Sequence, residues 1–168
     1  MRRRILIFFL AALVVAGATW GGIAWWHAHQ AAVRAAADAA AGAEALRDAR
    51  RDVLTMNTMD YRHVDTCWQA WLGVSTGTLH GQLSQSAAVL TQQFQEQKLI
   101  TSGTITKAEV STADSVAGTA TIIGTEDLHI TNSGTQAVNH EGFRADLSRT
   151  PAGWRLTAFT TDPLNSAG

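Results

Sequence analysis

An apolar run from Ile5 to Trp26, placed directly behind Arg2, Arg3 and Arg4, decides which solvent the remainder of the chain must fold in. At about 22 residues and 1.5 Å per residue it reaches roughly 33 Å as a helix, enough for the roughly 30 Å hydrocarbon core of a bilayer. Ten of its residues are Leu, Ile, Val or Phe. Each adds about −0.3 to −0.6 kcal/mol on an insertion scale, and no charge opposes the sum of roughly −3 to −6 kcal/mol. The three arginines hold the N-terminus in the cytoplasm, and Trp20, Trp25 and Trp26 suit the far headgroup layer. The sequence therefore predicts a short cytoplasmic tail (1–4), a transmembrane helix (5–26), and a C-terminal part outside the cell membrane. The same stretch also reads as a signal peptide, with a small-residue cut after Ala18. Continued hydrophobicity into the Trp pair favours a retained anchor, and both readings export the rest.

Some 140 residues follow, enough for one compact domain. Without the N-terminal arginines the exported part carries about ten basic against fourteen acidic residues. No basic stripe for nucleic acid results. Cys67 is the only cysteine, so no intramolecular disulfide forms, and its best reading is a small buried apolar residue on a helix.

From His27 to Thr58 the chain is Ala-rich with scattered charges, broken only by Gly42, which predicts a helical stalk (27–58). Leu46, Val53, Leu54 and Met56 begin a buried face near its end. His27 and His29 are two apart and share no helical face, so they make a poor metal pair. Asp60 is placed to cap a second helix through Tyr61, Val64, Cys67, Trp68, Trp71 and Leu72, whose aromatic face belongs in a core. Thr78 opens a third helix through Leu79, Leu83, Ala87, Leu90 and Phe94, with a glutamine-rich wet face.

At Gly103 the hydrophobic period changes to two. Strands are expected at Thr104–Thr112, at Val116–Ile130 with even-numbered residues on the apolar face, around Phe143–Ser148, and through Trp154–Ala158. Turns fall at Ala113-Asp114-Ser115, Asn132-Ser133-Gly134 and Pro151-Ala152-Gly153, and the tail after Asp162 frays. Helices in one block followed by four strands imply an α+β domain (59–168), with about three helices on the concave side of a curved antiparallel sheet.

Several of these features occur together elsewhere: the Arg-led span, the Ala-rich stalk, Val53-Leu54-Thr55, Met59-Asp60-Tyr61-Arg62 with Asp65 following, a Thr-Gly break, and a terminal Gly153-Trp154-Arg155-Leu156 strand. Together they resemble the actinobacterial Mce-associated (mammalian cell entry) membrane proteins, over nearly the whole chain. The run Cys67-Trp68-Gln69-Ala70-Trp71 departs from that pattern. The resemblance implies a cone domain similar to nuclear transport factor 2 (cystatin-like), as also seen in a type IV secretion assembly factor. It also implies an accessory, stabilising role beside an Mce-type envelope lipid importer, with Mce-complex or other membrane subunits as partners. Lipid and further copies of the chain are additional candidate partners.

Tyr61, His63, Asp65, His129, His140 and Asp146 form the acid–base inventory for chemistry of the dehydratase kind. His63 and Asp65 cannot both face inward from one helix, and Asp146 falls on a polar strand face. The expectation is a protein that is not an enzyme and takes no cofactor. Asp60, Tyr61, Arg62, Trp68, Trp71 and Trp154 are its candidate structural or partner-contact residues. A type IV secretion scaffold of the same layout is the alternative, and a small-molecule-binding or enzymatic cone the third.

Overall fold

The computed structural model describes residues 2–164, and the side chains of residues 25–164. The elements are α1 (Arg2–Met56), β1 (Met59–Asp60), a 3-10 turn (Tyr61–His63), α2 (Val64–Val74), α3 (Gly77–Gln97), β2 (Ile100–Asp114), β3 (Thr119–Asn132), β4 (Thr135–Thr150) and β5 (Gly153–Pro163). Two compact units divide the chain, Met1–Ala37 and Asp38–Gly168. In the first, Trp25 stacks on His29 with ring centroids 5.5 Å apart, and Trp25, Trp26 and Val33 are exposed. The side chains of the expected span, through Ala24, lie outside the described residues, as do the cleavage point after Ala18 and residues 165–168 at the end of the tail. Among the described residues no helix is long and apolar enough to cross a membrane.

In the second unit a five-stranded antiparallel sheet runs β1-β2-β3-β4-β5, and the helices pack on its curved face. The sequence predicts four strands. The fifth, β1, has only two residues, paired as Met59↔Thr101 and Asp60↔Ile100, too few to carry a period. The expected stalk also ends early. From Asp38 the helix belongs to the domain, because Ala41, Ala45, Ala49 and Val53 recur every four residues and are almost fully buried against the sheet. Small side chains let the α1 backbone come close. A Cβ added at Gly42, read from sequence as a breaker, would lie 3.2 Å from Val110 Cγ1. The larger Leu46 and Met56 only flank this stripe, and Leu54 is exposed.

Polar contacts lock α1 in place. Asp48 Oδ2 accepts the Trp154 N–H at 3.0 Å, and Asp38 Oδ1 accepts from the Ser115 backbone at 2.8 Å and from the Ser115 hydroxyl. Opposite α1, Ala120, Ile122, Phe143, Ala145, Leu147, Trp154 and Leu156 complete the first core. A second core joins α2 and α3 through Met59, Val64, Trp68, Trp71 and Leu83. Cys67, expected to be buried, packs against this core but is only half-buried, because one side of it lines an open cleft between α1 and α2.

The strand ends differ from expectation for local reasons. Val116 sits in a turn rather than starting a strand, because Asp114 Oδ1 accepts the N–H groups of Val116 and Ala117 at 2.9 and 2.8 Å. Ser133 and Gly134, with φ of 47° and 91°, make the two-residue hairpin turn whose twist matches the flanking strands. Two bulges interrupt β2, between Ile105 and Lys107 and between Val110 and Thr112. Gly124 lies beside the first, where a Cβ would collide with the Lys107 carbonyl and come within 2.6 Å of the Phe143 ring.

Candidate interaction corner, buried carboxylates and the open sheet edge

Asp60, Tyr61 and Arg62 come together at an exposed corner. Asp60 Oδ1 accepts from Arg62 N and Nε, and Oδ2 from Nη2, each at 2.9 Å. These bonds, the Arg62 side chain foremost, hold the Asp60 carboxyl below its ordinary value and raise that of Arg62. The guanidinium lies 5.8 Å from the Tyr61 ring centroid. Asp60 thus caps the 3-10 turn, while His63 occupies the cap position of α2 without a side-chain hydrogen bond.

The three tryptophans are core residues. Trp154 is 1% exposed in the first core, and the Trp68 and Trp71 rings meet in the second with centroids 5.2 Å apart and planes tilted by 45°. Trp71 Nε1–H donates to the carbonyls of Thr55 and Thr58 at 2.9 and 3.1 Å, which fastens α2 to the end of α1, where the Thr55 carbonyl also accepts the Thr58 N–H at 3.1 Å.

The acid–base inventory is scattered. His63, Asp65 and His129 are exposed on separate elements, and Tyr61 belongs to the corner. His140 Nδ1 lies 2.7 Å from Asp127 Oδ1 across the β3–β4 ladder, on the wet side. Asp146 accepts from Thr121 at 2.7 Å and from Arg144 at 2.9 Å. Among the described residues no group of three or more His, Cys, Asp or Glu side chains could hold a metal ion.

Two carboxylates outside that inventory are buried. Asp52, fully enclosed, lies 2.9 Å from Arg51 Nε and 3.7 Å from Arg155 Nη1, and burial raises its pKa despite both arginines. Glu126, 1% exposed, accepts from Asn57 Nδ2 at 2.5 Å, while its Oε1 meets no partner among the described residues. Burial is again the main cause raising its pKa, with Glu141 adding to it. The Asn57 backbone carbonyl also accepts the Thr101 hydroxyl at 2.8 Å, so this residue ties the end of α1 to β2 and β3. Both acids carry a signal in the sequence. Asp52 is seven residues from Ala45, on the alanine stripe, and Glu126 is even-numbered in a strand whose even face is apolar.

Two open clefts flank Leu54. One, of about 500 Å3, lies between Arg50, Leu54 and residues 103–108 of β2. The other, of about 570 Å3 and mostly apolar, lies between α1 and α2 at Arg51, Thr55, Thr66, Cys67 and Ala70. Along the first, β2 is an open edge, since β1 pairs only with Ile100 and Thr101.

Helices on a curved antiparallel sheet, with the interior filled by Trp, Phe, Ile and Leu side chains, define an α+β domain of the nuclear transport factor 2 type. The chain belongs to the family described as uncharacterized protein Rv1363c/MT1408-like, whose model matches residues 5–162. No curated protein matches it. Among solved structures it is similar to an IcmL-like type IV secretion system protein of Legionella pneumophila, with TM-score 0.61 and 12% identity over 75% of this chain and 95% of that one. It is also similar to the periplasmic domain of DotI, with TM-score 0.57 and 16% identity over 71% and 93%. A third is CagV, a VirB8 homolog of Helicobacter pylori, with TM-score 0.57 and 8% identity over 73% and 99%. At these identities the likeness establishes the fold.

Proposed function

We propose that the chain is a single-pass, membrane-anchored scaffold subunit, without catalysis, whose extracytoplasmic domain docks onto other subunits of an envelope-spanning complex. The observation that carries this reading is the shared fold, since the similar solved domains belong to secretion-system proteins and cover nearly their whole length. Two features of the molecule support it. The cone interior is occupied by its own aromatic and aliphatic side chains, leaving a packed body suited to contact through its surface. The run Ile5–Trp26 supplies an anchor with the N-terminus inside, ahead of a domain that begins at Asp38. The layout is that of a type IV secretion assembly scaffold, with membrane proteins as partners and self-association as a further mode.

The second reading makes the complex an Mce-type lipid importer, and it rests on the sequence resemblance through Met59-Asp60-Tyr61-Arg62 and Gly153-Trp154-Arg155-Leu156. Native gels of solubilised membranes test the scaffold role under both. Deleting the chain should shift a large membrane complex to smaller species, and expression of the full chain should restore it. An unchanged gel would overturn the role, and the subunits of the shifted band decide between secretion and lipid import.

A further inference from the structure

We propose that the open edge of β2 between Thr104 and Ala108 is a strand-accepting site for an extended, acidic segment of a partner protein. The backbone provides the first argument. β2 has fifteen residues, of which β1 covers Ile100 and Thr101, so from Ser102 onward the side away from β3 has no neighbouring strand among the described residues. The opposite edge of the sheet is partly closed, because Ser75 bridges Leu156 and the Thr76 N–H donates to the Leu156 carbonyl at 2.8 Å. The 500 Å3 cleft beside β2 is bounded on its far side by Arg50 and Leu54 of α1, which gives an added strand one wall of backbone and one of side chain.

The second argument is charge. Arg50 Nη2 donates to the Ala108 carbonyl at 3.3 Å, a long and exposed bond. It shows that this carbonyl points away from β3 into the cleft, and in an antiparallel ladder the N–H of the same residue points the same way. An incoming strand takes both groups and releases the guanidinium. Lys107 borders the same cleft, which has no acidic side chain in its lining, although Lys107 reaches Glu109 at 3.0 Å. A carboxylate on the incoming segment therefore meets Arg50 in a charge-assisted bond that replaces the weak one lost.

The occupant follows from the same features. Bulges and an outward lysine are the devices by which edges reject indiscriminate apolar strands, so a guest must bring negative charge and be short, with its backbone bonds centred on Ala108, just past the bulge between Ile105 and Lys107. A second copy fits poorly, because a two-fold axis near Ala108 would bring the two Arg50 guanidiniums together. The site adds a docking point to the scaffold reading but stands on the edge itself, since a scaffold can dock through other surfaces.

The test uses the full chain in phospholipid nanodiscs and two fluorescein-labelled peptides, one alternating valine and glutamate, the other alternating valine and lysine. The glutamate peptide should bind, the lysine peptide should not, and hydrogen exchange should slow at residues 104–108. Arg50→Glu should weaken the glutamate peptide by about tenfold or more and confer binding of the lysine peptide. Arg50 is exposed, so the variant keeps its fold, and its melting curve checks this. The proposal is overturned by no binding of the glutamate peptide, by equal binding of both, by an Arg50→Glu variant that behaves as wild type, or by protection at residues 66–70 instead. Spontaneous disulfide pairing of Ala108→Cys chains across the edge would assign it to a second copy and also overturn the proposal. Native-gel behaviour of the deletion strain is independent of all these outcomes.

Discussion

Replacing Glu126 by Gln should stabilise the domain at pH 8 and cease to do so near pH 4. The carboxyl is 1% exposed, with Oε2 met by Asn57 and Oε1 unmet among the described residues. A buried polar atom without a partner costs about 1–3 kcal/mol, more when charged. Gln keeps an acceptor for Asn57 and removes the charge, while its Nε2–H2 takes the unmet place of Oε1, so only the excess cost of the charge is recovered, a gain of about 1 kcal/mol at pH 8. For a unit of this size that is a rise of about 3–4 °C in Tm. Because burial raises the folded-state pKa above the ordinary 4.5, the folded protein holds this proton more tightly than the unfolded chain. Its contribution is therefore fully present below 4.5 and is lost as pH rises through the raised value. The gap between variant and wild type must open over that window. Tryptophan fluorescence during urea unfolding of the full chain reads it, since Trp68, Trp71 and Trp154 lie in the two cores. A variant less stable than wild type at pH 8, or a gap equal at pH 4 and 8, would refute the reasoning.

Trp71→Phe should cost about 1–2 kcal/mol more than Trp68→Phe in the same unfolding assay, because the Trp71 N–H donates to the carbonyls of Thr55 and Thr58 while the Trp68 N–H has no partner among the described residues. Equal losses would show that those bonds contribute nothing. Gly124→Ala should destabilise by about 1–3 kcal/mol, as its methyl meets the Lys107 carbonyl and the Phe143 ring, and an unchanged midpoint would mean the bulge relaxes freely. Carbonate-washed membranes should retain the full-length chain, and a released fragment beginning at Thr19 would show that the N-terminal run is a cleaved signal.

The block of helices and the run of strands could be read from the period of hydrophobicity, and Trp68, Trp71 and Trp154 were placed in a core by their phase. What escaped were features that carry no period or break it. Two residues of β1 cannot alternate. The alanine stripe Ala41-Ala45-Ala49 has the right spacing, yet its small side chains looked like a solvated stalk, and only the close approach at Gly42 and Val110 shows why alanine is required. Asp52 and Glu126 are in phase with buried neighbours, but a charge at such a position reads as a wet face until its partners, Arg155 and Asn57, are brought from elsewhere in the chain. Asp60 and Arg62 are both singled out in the sequence and their pairing is local, whereas the open edge of β2 depends on how short β1 is.

The central claim is that this domain is held at the membrane to organise other subunits. Affinity purification of the full chain from detergent-solubilised native membranes, quantified by mass spectrometry, tests it most directly. The account predicts near-stoichiometric recovery of integral-membrane subunits of one secretion or lipid-import complex. Recovery of the chain alone, as a monomer, would contradict it.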